Sequence, residues 1–173
     1  FNTVLPELAT SRFDVGAEGL GLMHSARAIG GVLASLALAG MIGFERRGLA
    51  FLAVLYAFGA SLILLSSAGQ FVLALLALLL VAVLAAASDV LTQSMMQLSV
   101  PNKLRGRAMG SWILAVGASP LGHLQMGALA VSLGVSGALL INGGALIAVA
   151  ILATFAAPRL RRLKGPEALH PAY

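Results

Sequence analysis

Six polar side chains stand inside or beside long apolar runs: His24, Arg27, Asp89, Gln93, His123 and Asn142. A cation at the centre of a membrane span costs about 2.5–3.5 kcal/mol on insertion scales, so Arg27 needs a partner or water. Two readings stand. Arg27 lines a polar cavity and attracts an anion or a carboxylate, with His24 one turn earlier sharing the site. Alternatively it snorkels to the surface near Glu18, only about 13 Å away at 1.5 Å per residue. Its position four residues before Gly31 leans it towards a small-residue face. Asp89, Gln93 and Gln97 recur at i, i+4 and i+8, with Ser88 and Thr92 beside them, and form a polar stripe. An intramembrane carboxylate suits a proton-coupled step. The plainer alternative is an ion pair between Asp89 and Lys103, Arg105 or Arg107. His123 follows Ser119 and Pro120 on a segment that also carries Gly117, Gly122 and Gln125. Pro120 removes a backbone donor and is expected to kink that helix. His123 then faces substrate or, as a neutral imidazole, bonds a neighbouring helix. Asn142, beside Gly143 and Gly144, is a candidate substrate contact whose simpler role is an interhelical hydrogen bond.

Other chemistry is not expected. The chain has no Cys, which excludes thiolate catalysis, disulfides and iron–sulfur ligation. No Ser/His/Asp cluster or paired acids occur, and no phosphate-cradling glycine loop runs into a Lys-Ser/Thr pair, so neither an enzyme nor an ATPase is expected. His123 has no second His or acid at i+3 or i+4, and neither a metal nor a cofactor is predicted.

The elements that hold these residues follow from composition. The chain has 173 residues, 60% of them hydrophobic and 10% charged, where soluble domains carry about 25% charged residues. Gly48–Ser88 and Ala108–Pro158 contain no Asp, Glu, Lys or Arg. Each run far exceeds the roughly 20 residues that cross a bilayer, so each is predicted to hold two helices. Their turns are placed at Ser66–Gln70 and Ser132–Ser136. With a further span before them, the predicted transmembrane helices are about 18–44, 48–66, 71–99, 108–131 and 137–157. Residues 1–12 are read as the outer end of a truncated helix and the start of a loop, and 158–173 as a basic, mostly disordered tail. The runs lack the alternation of a membrane barrel, so an all-α membrane protein is predicted.

Arg46, Arg47, Lys103, Arg105, Arg107, Arg159, Arg161, Arg162 and Lys164 fall on one side of this layout, and only Arg12 on the other. By the positive-inside rule the first side, with the C-terminus, is cytoplasmic. The net charge of +5 is then topology rather than a nucleic-acid footprint, because the charges form no stripe and lack interleaved aromatics. No secretory signal peptide is visible at Phe1. Trp112 reads as an interfacial anchor. Gly31, Ser35, Ala39 and Gly43 recur every four residues and are expected to form a packing ridge. Too few spans are present to satisfy all such faces, so partner helices are expected.

Gln97-Leu98-Ser99-Val100-Pro101-Asn102-Lys103-Leu104-Arg105-Gly106-Arg107 resembles the loop between helices ten and eleven of major facilitator superfamily transporters. It is similar to the bacterial efflux branch of enterobactin exporters and macrolide-efflux proteins. Gly16-Ala17-Glu18-Gly19-Leu20-Gly21-Leu22-Met23, followed by Ala26, Ile29, Gly30 and Gly31, resembles the start of helix eight in that branch, and Pro6 stands where it often has Leu-Pro. The superfamily's Gly-x-x-x-Asp-Arg-x-Gly-Arg motif is echoed by Gly40–Gly48, but with Phe44 at the Asp position; Glu45, Arg46 and Arg47 are left to form a related pair. The resemblance implies the C-terminal six-helix half of a twelve-helix fold, its first helix truncated and its N-terminal half missing. It implies a proton-coupled exporter of an amphipathic small molecule, multi-pass in the bacterial inner membrane and working by alternating access. It also implies a cytoplasmic gate at Pro101, Arg105, Gly106 and Arg107, whose cations would reach the negative helix ends of the other half. The alternative is a non-transporting scaffold or receptor-like protein of the same fold.

Overall fold

The computed structural model describes residues 5–40, 47–100 and 104–156. A short helix α1 (Leu5–Glu7) continues into a π-helical turn (Leu8–Arg12), followed by α2 (Gly16–Gly40), α3 (Arg47–Ser67), α4 (Phe71–Ser99), α5 (Arg105–Gly117) and α6 (Ser119–Ala156). No strand occurs among the described residues. This all-helical outcome follows from the solvent, since a lipid-exposed segment must satisfy its own backbone.

Among the described residues four helical stretches are long and apolar enough to cross a membrane: Gly16–Gly40, Arg47–Ser67, Phe71–Gln97 and Gly106–Ala156. The last is too long for one crossing and is interrupted twice. At Ala118 the backbone leaves the helix briefly, its N–H bonded to the carbonyls of Leu114 and Ala115 at 3.0 and 3.2 Å. Pro120 therefore sits in the first turn of α6, where its missing N–H costs little. At Gly134 the backbone takes φ 72°, ψ 168°, which glycine reaches without a Cβ penalty, and α6 doubles back. Asn142 Nδ2 then donates to Met126 Sδ at 3.2 Å; the two residues lie equally far from Gly134 on opposite limbs.

The helices pack in a row, α2 against α4, α4 against α3, and α3 against α6. α2 and α4 run parallel. A Cβ on Gly19 would approach the Phe71 ring, and one on Gly30 would meet Ala82, Leu79 and Val83, the same advance along each helix. α3 runs antiparallel to the second limb of α6. Ser66 Oγ donates to the Ser136 carbonyl at 2.9 Å, Gly59 faces Gly143, and Tyr56 hydroxyl meets Thr154 Oγ1 at 3.2 Å.

The expected ridge is displaced by one residue. Gly30 and Ala34 are the buried positions of α2, along with Gly19 and Met23. Gly31 has open space where a Cβ would stand, Ser35 and Ala39 are exposed, and Gly43 lies outside the described residues. Gly30 wins because its missing side chain lets α2 approach the Leu79 carbonyl, which a Cβ would meet at 3.0 Å.

The core lies at the end of the row where α2 begins. Leu5, Leu8 and Ala9 are buried there with Met23, Leu65, Leu78, Met126 and Leu139. Arg12 ties this end together, donating to Ser136 Oγ at 2.7 Å and to the Ala68 carbonyl at 2.8 Å. Its guanidinium lies 5.7 Å from the Phe13 ring centroid, and Phe13 meets Phe71 edge-on at 5.8 Å.

Candidate functional site

Two helix faces with the same periodicity meet in a cleft. On α2, His24, Arg27, Ala28 and Gly31 stand at i, i+3, i+4 and i+7; on α4, Ala82, Ala85, Ala86 and Asp89 repeat that spacing. Side chains at these intervals share one helix face. The two faces enclose about 510 Å³, within the range of small-molecule sites. The close approach at Gly30 and Ala82 holds the helices together beside the cleft, and the alanines and Gly31 leave its walls bare. Arg27 is half-buried, whereas His24 and Asp89 are exposed.

Asp89 thus faces α2. Of its three expected cationic partners, Lys103 and the Arg105 side chain lie outside the described residues, and Arg107 is exposed in the first turn of α5. The rest of the polar stripe turns elsewhere. Ser88 Oγ donates to the Ala85 carbonyl at 2.8 Å and Thr92 Oγ1 to the Ser88 carbonyl at 2.7 Å. Gln93 is half-buried one turn beyond Asp89 and does not line the cleft. The next residue, Ser94, accepts through Oγ a hydrogen bond from Arg47 at 2.9 Å, which ties the start of α3 to α4.

His123 and Asn142 come together in a different place. A second cavity of about 380 Å³ lies between α3 and the two limbs of α6, with Phe58, Leu62, Met126, His123, Gln125 and Asn142 on its walls. Among the described residues no Asp, Glu, Lys or Arg lines it. Asn142 spends its amide donors on Met126 and on the Ala138 carbonyl at 2.9 Å. The six polar candidates are therefore divided: His24, Arg27 and Asp89 in one site, His123 and Asn142 in another, and Gln93 in neither.

The loop residues are only partly placed. Pro101 lies outside the described residues; Gly106 and Arg107 are exposed in the first turn of α5, which Arg105 opens. Cations at a helix N-terminus oppose its dipole, so this turn gains from a neighbouring anionic group. Among the described residues no group of His, Asp or Glu could hold a metal ion.

Read along its whole length, the chain matches the Major Facilitator Superfamily over residues 1–172. The chain belongs to that superfamily. No curated protein and no solved structure matches it. As a major facilitator chain it is a multi-pass membrane protein of a transporter family that is generally not enzymatic. Of the two cavities described above, the α2–α4 cleft is the one lined by charged side chains. Sequence reading missed the walls of that site: Ala82, Ala85 and Ala86 carry no chemistry, and only their match in spacing to His24, Arg27, Ala28 and Gly31 marks them. It also passed over Arg12, counted as a lone cation in a loop, because no local pattern announces a contact with residues as distant as Ala68 and Ser136.

Proposed function

We propose that the chain is the C-terminal half of a bacterial exporter of the efflux branch, and that it moves an amphipathic small molecule out of the cell by alternating access, coupled to protons. The observation that carries this reading is the α2–α4 cleft, where a half-buried cation and an intramembrane carboxylate line one cavity with bare alanine walls. Such groups mark substrate or proton pathways when they face a cavity rather than lipid. Arg27 attracts the anionic part of a substrate, His24 assists, and Asp89 is the group that exchanges a proton or meets a substrate cation. Exposed apolar faces support the expected partner helices. Val131 is 90% exposed, Phe155 78% and Leu114 76%; lipid covers part of this surface and the N-terminal half the rest. In that assembly the α5 turn with Gly106 and Arg107, together with Pro101 and Arg105, forms the cytoplasmic gate, and the C-terminus is cytoplasmic in the inner membrane.

The test is export by the full-length protein from cells or proteoliposomes, with and without collapse of the proton gradient, across lipophilic cations, macrolides and siderophores. Gradient-dependent export that is lost in Arg27→Ala and Asp89→Asn, at unchanged expression, is the expected result. Folded, well-expressed protein that exports nothing from a broad panel would favour the non-transporting scaffold.

A further inference from the structure

The α2–α4 cleft is not a single charged point but a channel with unlike ends. Because α2 and α4 run parallel with Gly19 beside Phe71 and Gly30 beside Ala82, a residue of α2 lies level with the α4 residue whose number is higher by the same constant. Arg27 is therefore level with Leu79, and His24 lies one turn further towards the start of α2. Asp89 lies ten residues beyond Leu79 along α4, or about 15 Å at 1.5 Å per residue. Between the two charges the walls are Ala28, Gly31, Ala82, Ala85 and Ala86, which present methyl groups and bare backbone but no hydrogen-bonding side chain.

This arrangement discriminates in three ways. The Arg27 end, with a permanently charged guanidinium and an imidazole nearby, prefers a carboxylate or another oxyanion. The Asp89 end prefers a protonated amine. The smooth middle accepts an apolar body and gives nothing to a polar one. An anion alone leaves Asp89 without a partner, and a cation alone leaves Arg27 in the same position.

We infer that the cleft binds an elongated zwitterion, with an oxyanion at the Arg27 end, an ammonium at the Asp89 end and an apolar spacer between them. This rests on the transporter reading above and narrows its substrate class. The carboxylate and amine of such a ligand are both ionised near neutral pH, so the ligand enters with no net charge and takes up the two fixed charges together.

Equilibrium binding to the full-length protein in lipid nanodiscs tests this, with empty nanodiscs subtracted. The probes are 12-aminododecanoate, dodecanoate, dodecylamine and 6-aminohexanoate. 12-Aminododecanoate is expected to bind at least about tenfold more tightly than any of the other three, the loss attached to one missing charged contact. In Asp89→Lys the preference moves to dodecanedioate, and in Arg27→Glu to 1,12-diaminododecane. If either charge reversal fails to fold, Asp89→Asn and Arg27→Gln are each expected to abolish the preference for the zwitterion over the singly charged probe that retains the other contact. Equal binding of dodecanoate, dodecylamine and the zwitterion would overturn the inference, as would an unchanged preference in any of these variants when folded. Counterflow in proteoliposomes separates the two layers. Selective binding without flux would leave the ligand class standing and overturn the transport reading; flux without selectivity would do the reverse.

Discussion

The interface of α3 with α6 and that of α2 with α4 are both closed by glycine, yet they serve different ends. Gly59 and Gly143 face each other so closely that a Cβ on either would meet the other's carbonyl oxygen at 2.8 Å, with Ile147 and Ile63 filling the flanks. The α2–α4 contact has Gly30 against Ala82, but only one residue away Gly31 opens into the cleft with nothing within 4 Å of a Cβ. In a membrane, where apolar burial gives helices little reason to associate, close backbone approach supplies the adhesion. Each close contact has a cavity beside it, and the two cavities divide by charge: among the described residues no Asp, Glu, Lys or Arg lines the one between α3 and α6, while Arg27 and Asp89 line the α2–α4 cleft. The polar groups follow the same division. At the α3–α6 interface Ser66, Tyr56 and Thr154 satisfy one another or the backbone, whereas the side chains of Arg27 and Asp89 are left facing a space.

This contrast can be broken most severely at the α3–α6 contact. Gly143→Val is expected to force α6 away from α3, because the obstacle is backbone rather than a flexible side chain, and overpacking costs about 1–3 kcal/mol or more. A large fall in the detergent melting temperature of the full-length protein checks it; an unchanged melt would show that the two helices do not meet as closely as described. Arg12→Ala comes next. It removes two charge-assisted hydrogen bonds that tie the loop before α2 to the end of α3 and the reversal of α6, with an expected loss of about 2–3 kcal/mol. Arg12→Lys should restore only part, since an ammonium cannot reproduce the fork.

The neighbouring glycines of α2 sharpen the comparison. Gly30→Val is expected to lower stability by about 1–3 kcal/mol through its clash with Ala82 and the Leu79 carbonyl. Gly31→Ala should leave the melt unchanged or raise it by up to about 1 kcal/mol from helix propensity, while narrowing the cleft and weakening transport. Two adjacent substitutions with opposite signs on stability would locate the boundary between contact and cavity; matching losses would erase it.

Much of the fold is legible in the sequence because lipid allows so few alternatives. The charge-free runs Gly48–Ser88 and Ala108–Pro158 leave a helix as the only solution, and Gly134 lies within the Ser132–Ser136 cluster where a reversal is expected. The register of packing is less legible. Gly30 with Ala34 and Gly31 with Ser35 form two adjacent stripes of small residues, both competent to pack, and the choice between them depends on the surface of α4. The site was half legible. Arg27 and Asp89 each stand out as intramembrane charges, and His24 and Arg27 share a face by their spacing. That Asp89 shares a cavity with them depends on the parallel alignment of two helices separated by α3, which leaves no trace in either local sequence. The grouping of His123 with Asn142 likewise needs the reversal at Gly134.

The central claim is that Arg27 and Asp89 act together in a working cleft rather than hold the bundle. The most direct measurement is a double-mutant cycle on gradient-driven export by the full-length protein, using Arg27→Gln, Asp89→Asn and the pair, with thermal melts taken alongside. We expect all three variants to melt as the parent does, and export to fall sharply in each single variant, with little further loss in the double. Export at parental rates in both single variants, or melts that fall in step with export, would contradict the account.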